Sequence, residues 1–350
     1  MSRKDIDIEV ISKLSKAVTG IILLLVVLMG VVSATLMIGP SRLSGLTQKS
    51  VSRKAEIQVS VNAPDNLWRA PDISSVSEDE SGREIKYGFQ LITHTSEYLG
   101  PKGAVKNISN GMNCQNCHLE GGTKPFGNNY SAVASTYPKF RPRSGTKETI
   151  EKRINDCFER SLNGTALEED SREMKAIVAY INWLGKDVPK GKAPKGAGLV
   201  ELPFLDEPAS AIRGKQLYIE KCTTCHGENG TGIMNSKGSE WIYPPLWGNQ
   251  SYNVGAGLYR LSRFAGYIKT NMPLGATHSQ PLLTDEEAWH IAAYVNSLER
   301  PKLDLSKDWP DISKKPVDHP FGPYEDGFDE NQHKYGPFKP IHDQRKSLGR

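Results

Sequence analysis

Cysteine is scarce in this chain, five among 350 residues, which excludes a disulfide-stapled scaffold. Charge of one sign is lacking too. With 44 basic against 40 acidic side chains the net charge is +4, so a nucleic-acid-coating surface is excluded and no nucleic-acid partner is expected. At 37% hydrophobic residues the composition is not that of a disordered chain. Nowhere does apolar–polar alternation with a period of two persist over a useful length. Extended sheet is thereby excluded, and the fold class reads as all-α. Long apolar runs are missing with one exception, at the N-terminus.

That exception is AVTGIILLLVVLMGVVSATLMI, residues 17–38, which carries no charge and is long enough to cross a bilayer core as a helix. Arg3, Lys4, Lys13 and Lys16 precede it, which puts the N-terminus in the cytoplasm and the body outside it. A cleaved signal peptide is the competing reading, because Val32-Ser33-Ala34 loosely resembles a small-residue cleavage site. The apolar part of such a peptide is usually shorter than this run. The expectation is a single anchor in the inner membrane within residues 1–39, with the body in the periplasm.

Residues 40–80 are polar and weakly periodic and read as a linker. Two segments of similar plan follow, 81–190 and 205–300. Each opens on an amphipathic stretch (GREIKYGFQLITHTSEYLG and SAIRGKQLYIEKC) that leads into a paired-cysteine motif. Each closes on a strong helix, SREMKAIVAYINWLG and TDEEAWHIAAYVNSLE. In the second closing helix Ala288, Ile291, Ala292, Val295 and Leu298 share one face, and Thr284 with Glu287 makes a capping box. The first repeats the pattern with Ile177, Tyr180, Ile181 and Leu184. A Lys/Pro/Gly-rich stretch lies between the units, with residues 191–204 read as linker. The extension 301–350 is poor in aliphatics but carries scattered aromatics. It reads either as an irregular strap laid over the body or as disorder.

The cysteine pairs decide the chemistry. CQNCH places Cys114, Cys117 and His118 together, and CTTCH does the same for Cys222, Cys225 and His226. This spacing is the c-type haem attachment signature: two thiols add to two vinyl groups, and the adjacent histidine becomes the proximal iron ligand. A single zinc site would need both pairs close together, and a thioredoxin-like pair expects a βαβ setting that is missing. Two covalently bound haem c groups are expected.

Each haem needs a second axial ligand. In the second unit NMPLG offers Met272, the usual layout of a class I cytochrome c, with His278 and Lys269 as rivals and a core methionine as the plainer reading. The first unit has no such loop. Met112 is too near the attachment site, Met174 lies inside the closing helix, and His94 is on the opening stretch. There remains Cys157, alone in RINDCFERSLNG. Residues 146–162 read as a helix with Ile150, Ile154, Phe158 and Leu162 in a stripe. Arg153, Cys157 and Ser161 stand four apart in a second column beside it, and Arg141 and Arg143 lie on the loop before it. Cys157 is either a small core residue or a thiolate ligand with a pKa lowered by iron and arginine.

MNCQNCHLEGGT, RINDCFERSLNG, AIVAYINWLG and NMPLG, in this order, resemble the dihaem thiosulfate dehydrogenases, over roughly residues 80–340. RINDCFERS is the specific part of that resemblance. It implies two class I cytochrome c-like domains and coupling of two thiosulfates into tetrathionate, in some members in reverse. It also implies His118 and Cys157 as ligands of the active-site haem, and Arg143, Arg153 and Ser161 as substrate-holding residues. A second haem, on His226, would pass electrons to a cytochrome c or a membrane-bound acceptor. Its sixth ligand varies between lysine and methionine in the family. Asn271 stands before Met272 here, so Met272 is the implied ligand. The alternative is a membrane-anchored dihaem cytochrome that only relays electrons.

Overall fold

A computed structural model describes residues 18–29 and 66–349. Residues 18–29 are helical and exposed throughout. Among the described residues no helix is long and apolar enough to cross a membrane; the rest of the run at 17–38 lies outside them.

In the body the principal helices are α1 (Glu80–Thr93), α2 (Ile150–Asp156), α3 (Arg172–Leu184), α4 (Ala211–Lys221), α5 (Leu261–Asn271), α6 (Asp285–Ser297), α7 (Glu330–Tyr335) and α8 (Lys339–Ser347). Side-chain caps start most of them where polar residues precede apolar ones: Asp79 for α1, Ser171 for α3, Ser210 for α4 and the Thr284–Glu287 box for α6.

The two units repeat one packing event. In each, the opening helix crosses the closing helix, α1 on α3 and α4 on α6, at a glycine. A Cβ on Gly88 would meet the Ala176 carbonyl oxygen at 2.0 Å, and one on Gly214 would meet that of His290 at 1.8 Å. Only hydrogen fits at either crossing, so the backbones can touch. Met174, Ile177, Tyr180, Ile181 and Leu184 build the first core, and Tyr218, Trp289, Ile291, Ala292 and Val295 the second.

The units interlock. Trp241, Tyr252, Ala256 and Tyr259, from the second segment, complete the first core. The Tyr267 hydroxyl donates to the Asn116 carbonyl (3.0 Å), and Asn271 Nδ2 donates to that of Phe126 (3.0 Å).

Four features differ from the sequence-based expectation. First, the chain is mostly but not wholly helical: β1 (Lys139–Arg141) pairs antiparallel with β2 (Thr146–Glu148), and β3 (Ile233–Met234) with β4 (Trp241–Tyr243). Strands of two or three residues are too short to register as a periodicity. Second, β2 takes residues 146–148, and Thr149 accepts from Lys152 N, so the helix expected from 146 begins at Ile150. Past Asp156 it widens into a π turn, Cys157–Ser161, closed by Leu162 N donating to Cys157 O (2.9 Å). Third, the stretch read as an inter-unit linker is tied down. Lys195, Gly196 and Gly198 carbonyls accept from Trp68, Phe126 and Asn128, and Leu199 joins the second core. Fourth, the C-terminal extension is not irregular to its end: α8 buries Ile341, with Phe338 before it, in the second core.

Candidate active site

The second motif follows α4, whose end delivers Cys222, Cys225 and His226 into a cavity of about 550 Å³. Met272, at the C-terminal end of α5, lines the same cavity with Leu246, Phe264, Ile268 and Ile291. Its sequence rivals are engaged elsewhere. Lys269 Nζ pairs with Asp285 (2.7 Å) and the Leu283 carbonyl (2.7 Å), and His278 packs on the Phe126 ring.

The first motif opens on two adjoining cavities. One, about 220 Å³, is mostly apolar and is lined by Cys114, Cys117, His118, Tyr130, Phe158 and Ile181, with Cys157. Among the described residues no methionine or second histidine lines it. His94 pairs instead with Glu240 (3.1 Å), Met174 is fully buried in the core, and Met112 lines the second unit's cavity. The other cavity, about 360 Å³, shares Cys117, His118, Arg153, Cys157 and Ser161 with the first. It adds Arg141, Arg143, Arg260 and Arg263, and among the described residues no carboxylate lines it.

Cys157 therefore stands where an apolar cavity meets a cationic one. Arg153 Nη1 donates to its Sγ at 3.2 Å. That pair keeps ordinary helical i,i+4 spacing, and the π turn follows it, carrying the chain on to Ser161. Arg153, Cys157 and Ser161, predicted to share a face, do line one cavity, and Arg143 joins them from the β1–β2 turn.

Burial sets the titration state of the motif. The His118 imidazole is pushed down to about 4, and the Cys114 and Cys117 thiols up to about 12. His226 is also lowered by burial. Arg153 is held above its usual value chiefly by its electrostatic interaction with Cys157. Arg143 falls to about 10 through burial, then through Arg160 and Arg153, with Asp308 opposing. It remains a cation at neutral pH.

Both sites fit a covalently attached haem. His118 Nδ1 is tied to the Asn128 carbonyl (2.5 Å) and His226 Nδ1 to that of Pro244 (3.0 Å), and Nε2 of each has no hydrogen-bond partner among the described residues. A carbonyl on one ring nitrogen is how proteins orient a metal-ligating imidazole. Residues 104–189 match the family model "SoxA/TsdA, cytochrome c domain", and residues 211–299 match "Cytochrome c". The protein is a c-type cytochrome with two covalently bound haem c groups.

Its relatives narrow that class. A thiosulfate dehydrogenase of Psychrobacter arcticus is 41% identical over 243 residues, covering 69% of this chain and 71% of its own. One of Allochromatium vinosum is 41% identical over 235 residues, with coverages of 66% and 83%. The solved thiosulfate dehydrogenase (TsdBA) of Marichromatium purpuratum, in its "as isolated" form, superposes with a TM-score of 0.62 at 33% identity. That match covers 67% of this chain and 50% of the other, so this chain spans about half its length. The chain belongs to the thiosulfate dehydrogenase family, and it is an oxidoreductase.

Sequence reasoning missed Arg260 and Arg263. They come from the start of α5 in the other unit, three apart in YRLSRF. That spacing puts both on one helix face, the one local signal available. Only the tertiary fold brings them to Cys157.

Proposed function

We propose that this chain oxidises thiosulfate to tetrathionate at the first haem site and passes the electrons through the second to a redox acceptor. One observation carries the reading: the Arg153–Cys157 pair at the junction of an apolar haem cavity and a cavity lined by five arginines. Thiosulfate is a dianion, and joining two requires cations and hydrogen-bond donors to offset their repulsion. Arg143, Arg153 and Ser161 take that role, with Arg141, Arg260 and Arg263 adding charge.

In this reading His118 and Cys157 would hold the iron of the first haem, and His226 and Met272 that of the second. When bound, each haem supplies a one-electron acceptor, its potential lowered by thiolate and raised by thioether ligation. The Cys157 thiolate bonds to the sulfane sulfur of one thiosulfate, giving Cys–S–S–SO₃⁻ and releasing two electrons. A second thiosulfate attacks that sulfur, tetrathionate leaves, and the thiolate is restored. No proton is consumed, and the two electrons account for the one new S–S bond. Arg153 favours the anionic sulfur at both stages.

The acceptor in this reading is a cytochrome c or a membrane-bound redox protein. Residues 17–38 form a single inner-membrane anchor and hold the body in the periplasm. Fractionation checks this directly: recovery of the whole chain in the soluble periplasmic extract would remove the anchor. The central test is Cys157→Ala in the purified dihaem protein. Thiosulfate-dependent haem reduction should disappear; unchanged reduction would sink the assignment.

A further inference from the structure

We propose that Asp308 and Trp309, in the C-terminal extension, are positioning residues that hold the two arginine-bearing loops of the anion cavity in register around Cys157. The proposal rests on reading that cavity as the thiosulfate site. Asp308 takes Arg160 in a two-pronged pair, Nη1 to Oδ2 and Nη2 to Oδ1, both 2.8 Å. The side chains are only 14% and 11% exposed, so solvent screens the pair little. Arg160 lies in the π turn between Cys157 and Ser161. The same turn is held from the second unit, where Asn253 N donates to Arg160 O (3.0 Å) and Asn253 Nδ2 to Glu159 O (2.8 Å).

The next residue holds the other loop. Trp309 N donates to the Arg143 carbonyl at 2.7 Å. Its backbone is left-handed, φ 61°, a costly conformation for a bulky residue that persists only where its surroundings impose it. Its indole is buried, with no hydrogen-bond partner for Nε1 among the described residues, and meets the His319 ring edge-on. Against this segment lies Gly145, in the turn after Arg143: its φ is +67°, and a Cβ there would meet Pro310 at 2.6 Å. Thus one dipeptide, far along the chain, touches both loops that carry site residues.

Charge gives the carboxylate a second task. Arg160 disfavours the Arg143 cation, and Asp308 favours it. A strap serving only as glue has no need of a buried carboxylate and a strained aromatic here. The apolar anchoring is done further on, by Phe338 and Ile341.

The test uses the full dihaem protein carrying Asp308→Asn or Asp308→Glu, with Arg160→Lys as a second break that keeps the charge. Asp308→Asn should retain haem content and the second-haem spectrum, and raise KM for thiosulfate by about 10- to 100-fold with a smaller change in kcat. Asp308→Glu should recover most of that loss. The ferric spectrum of the first haem should shift or become heterogeneous in Asp308→Asn, as Cys157 loses its fixed approach. If Asp308→Asn does not accumulate, Arg160→Lys should give the same pattern. A variant that melts earlier while KM and the first-haem spectrum match wild type would overturn the proposal. The spectral arm needs no substrate. If wild-type protein failed to oxidise thiosulfate, the functional reading would fall, and the spectrum alone would still decide the positioning role.

Discussion

The cavity at His226 is walled by Met272, Leu246, Phe264, Ile268 and Ile291, and the histidine is tied to one backbone carbonyl. The cavity at His118 is tied the same way, yet Cys157 replaces methionine there, and an arginine-lined space adjoins it. The scaffolds are near copies, down to the glycine at each helix crossing. What differs is the segment before the closing helix: a loop ending α5 in one unit, a π turn ending α2 in the other. Proximal attachment is therefore the common platform, and in the proposed reading the distal segment would decide whether a unit conducts or reacts.

The most direct way to break the contrast is to give the first site the second site's ligand type. Cys157→Met should raise the first haem's potential and lower thiosulfate oxidation by on the order of 10³-fold or more, read by redox titration and steady-state rates. Arg153→Ala keeps the thiol but removes its 3.2 Å donor. A loss of about 10²- to 10³-fold in kcat/KM is expected; a loss below tenfold would demote Arg153 to a bystander.

The extension beside the first site should make that half of the molecule acid-sensitive. His319 is buried and held at about 4, against an ordinary value of 6.5, by burial first and then by Lys315, Arg260 and Arg143. Between those values the unfolded chain binds more protons, so stability should fall as pH drops from about 6.5 to 4. The loss is on the order of 3 kcal/mol. Chemical denaturation at several pH values checks it, and His319→Gln should flatten that limb.

Smaller effects sharpen the comparison. Arg263→Gln alters the second unit, yet it should raise KM for thiosulfate at the first by roughly tenfold, about 1.4 kcal/mol, without moving the second haem's potential. A rise in kcat alone would contradict a binding role. At the bottom of the scale, Ser171→Ala and Thr284→Ala each remove an N-cap from a closing helix. Each should cost about 1 kcal/mol in thermal unfolding, with activity retained.

Local chemistry was legible in the sequence. The haem motifs, the closing helices and the Thr284–Glu287 box each depend on residues a few positions apart, and the sequence displays such spacing directly. Cys157 stood out because it lacked a partner where a ligand was needed. Beyond that the reading thinned for identifiable reasons. Helical periodicity is nearly the same across an α-to-π change, so Cys157–Ser161 was read as one continuous helix with α2. The β1–β2 hairpin is shorter than any period. Arg260, Arg263, Asn253 and Asp308 act on the first unit from 90 or more positions away, at separations no window reveals.

Cys117 lines all three cavities: the first haem site, the arginine-lined space and the second haem site. Cys117 thus belongs to the lining of both haem-motif cavities at once. In the proposed reading the two haems would together take the two electrons that S–S bond formation releases, so one catalytic event would fill both. Without an acceptor the protein should release a burst of a single tetrathionate per chain and then stall. With one, turnover should rise with the acceptor's concentration until the sulfur chemistry limits it.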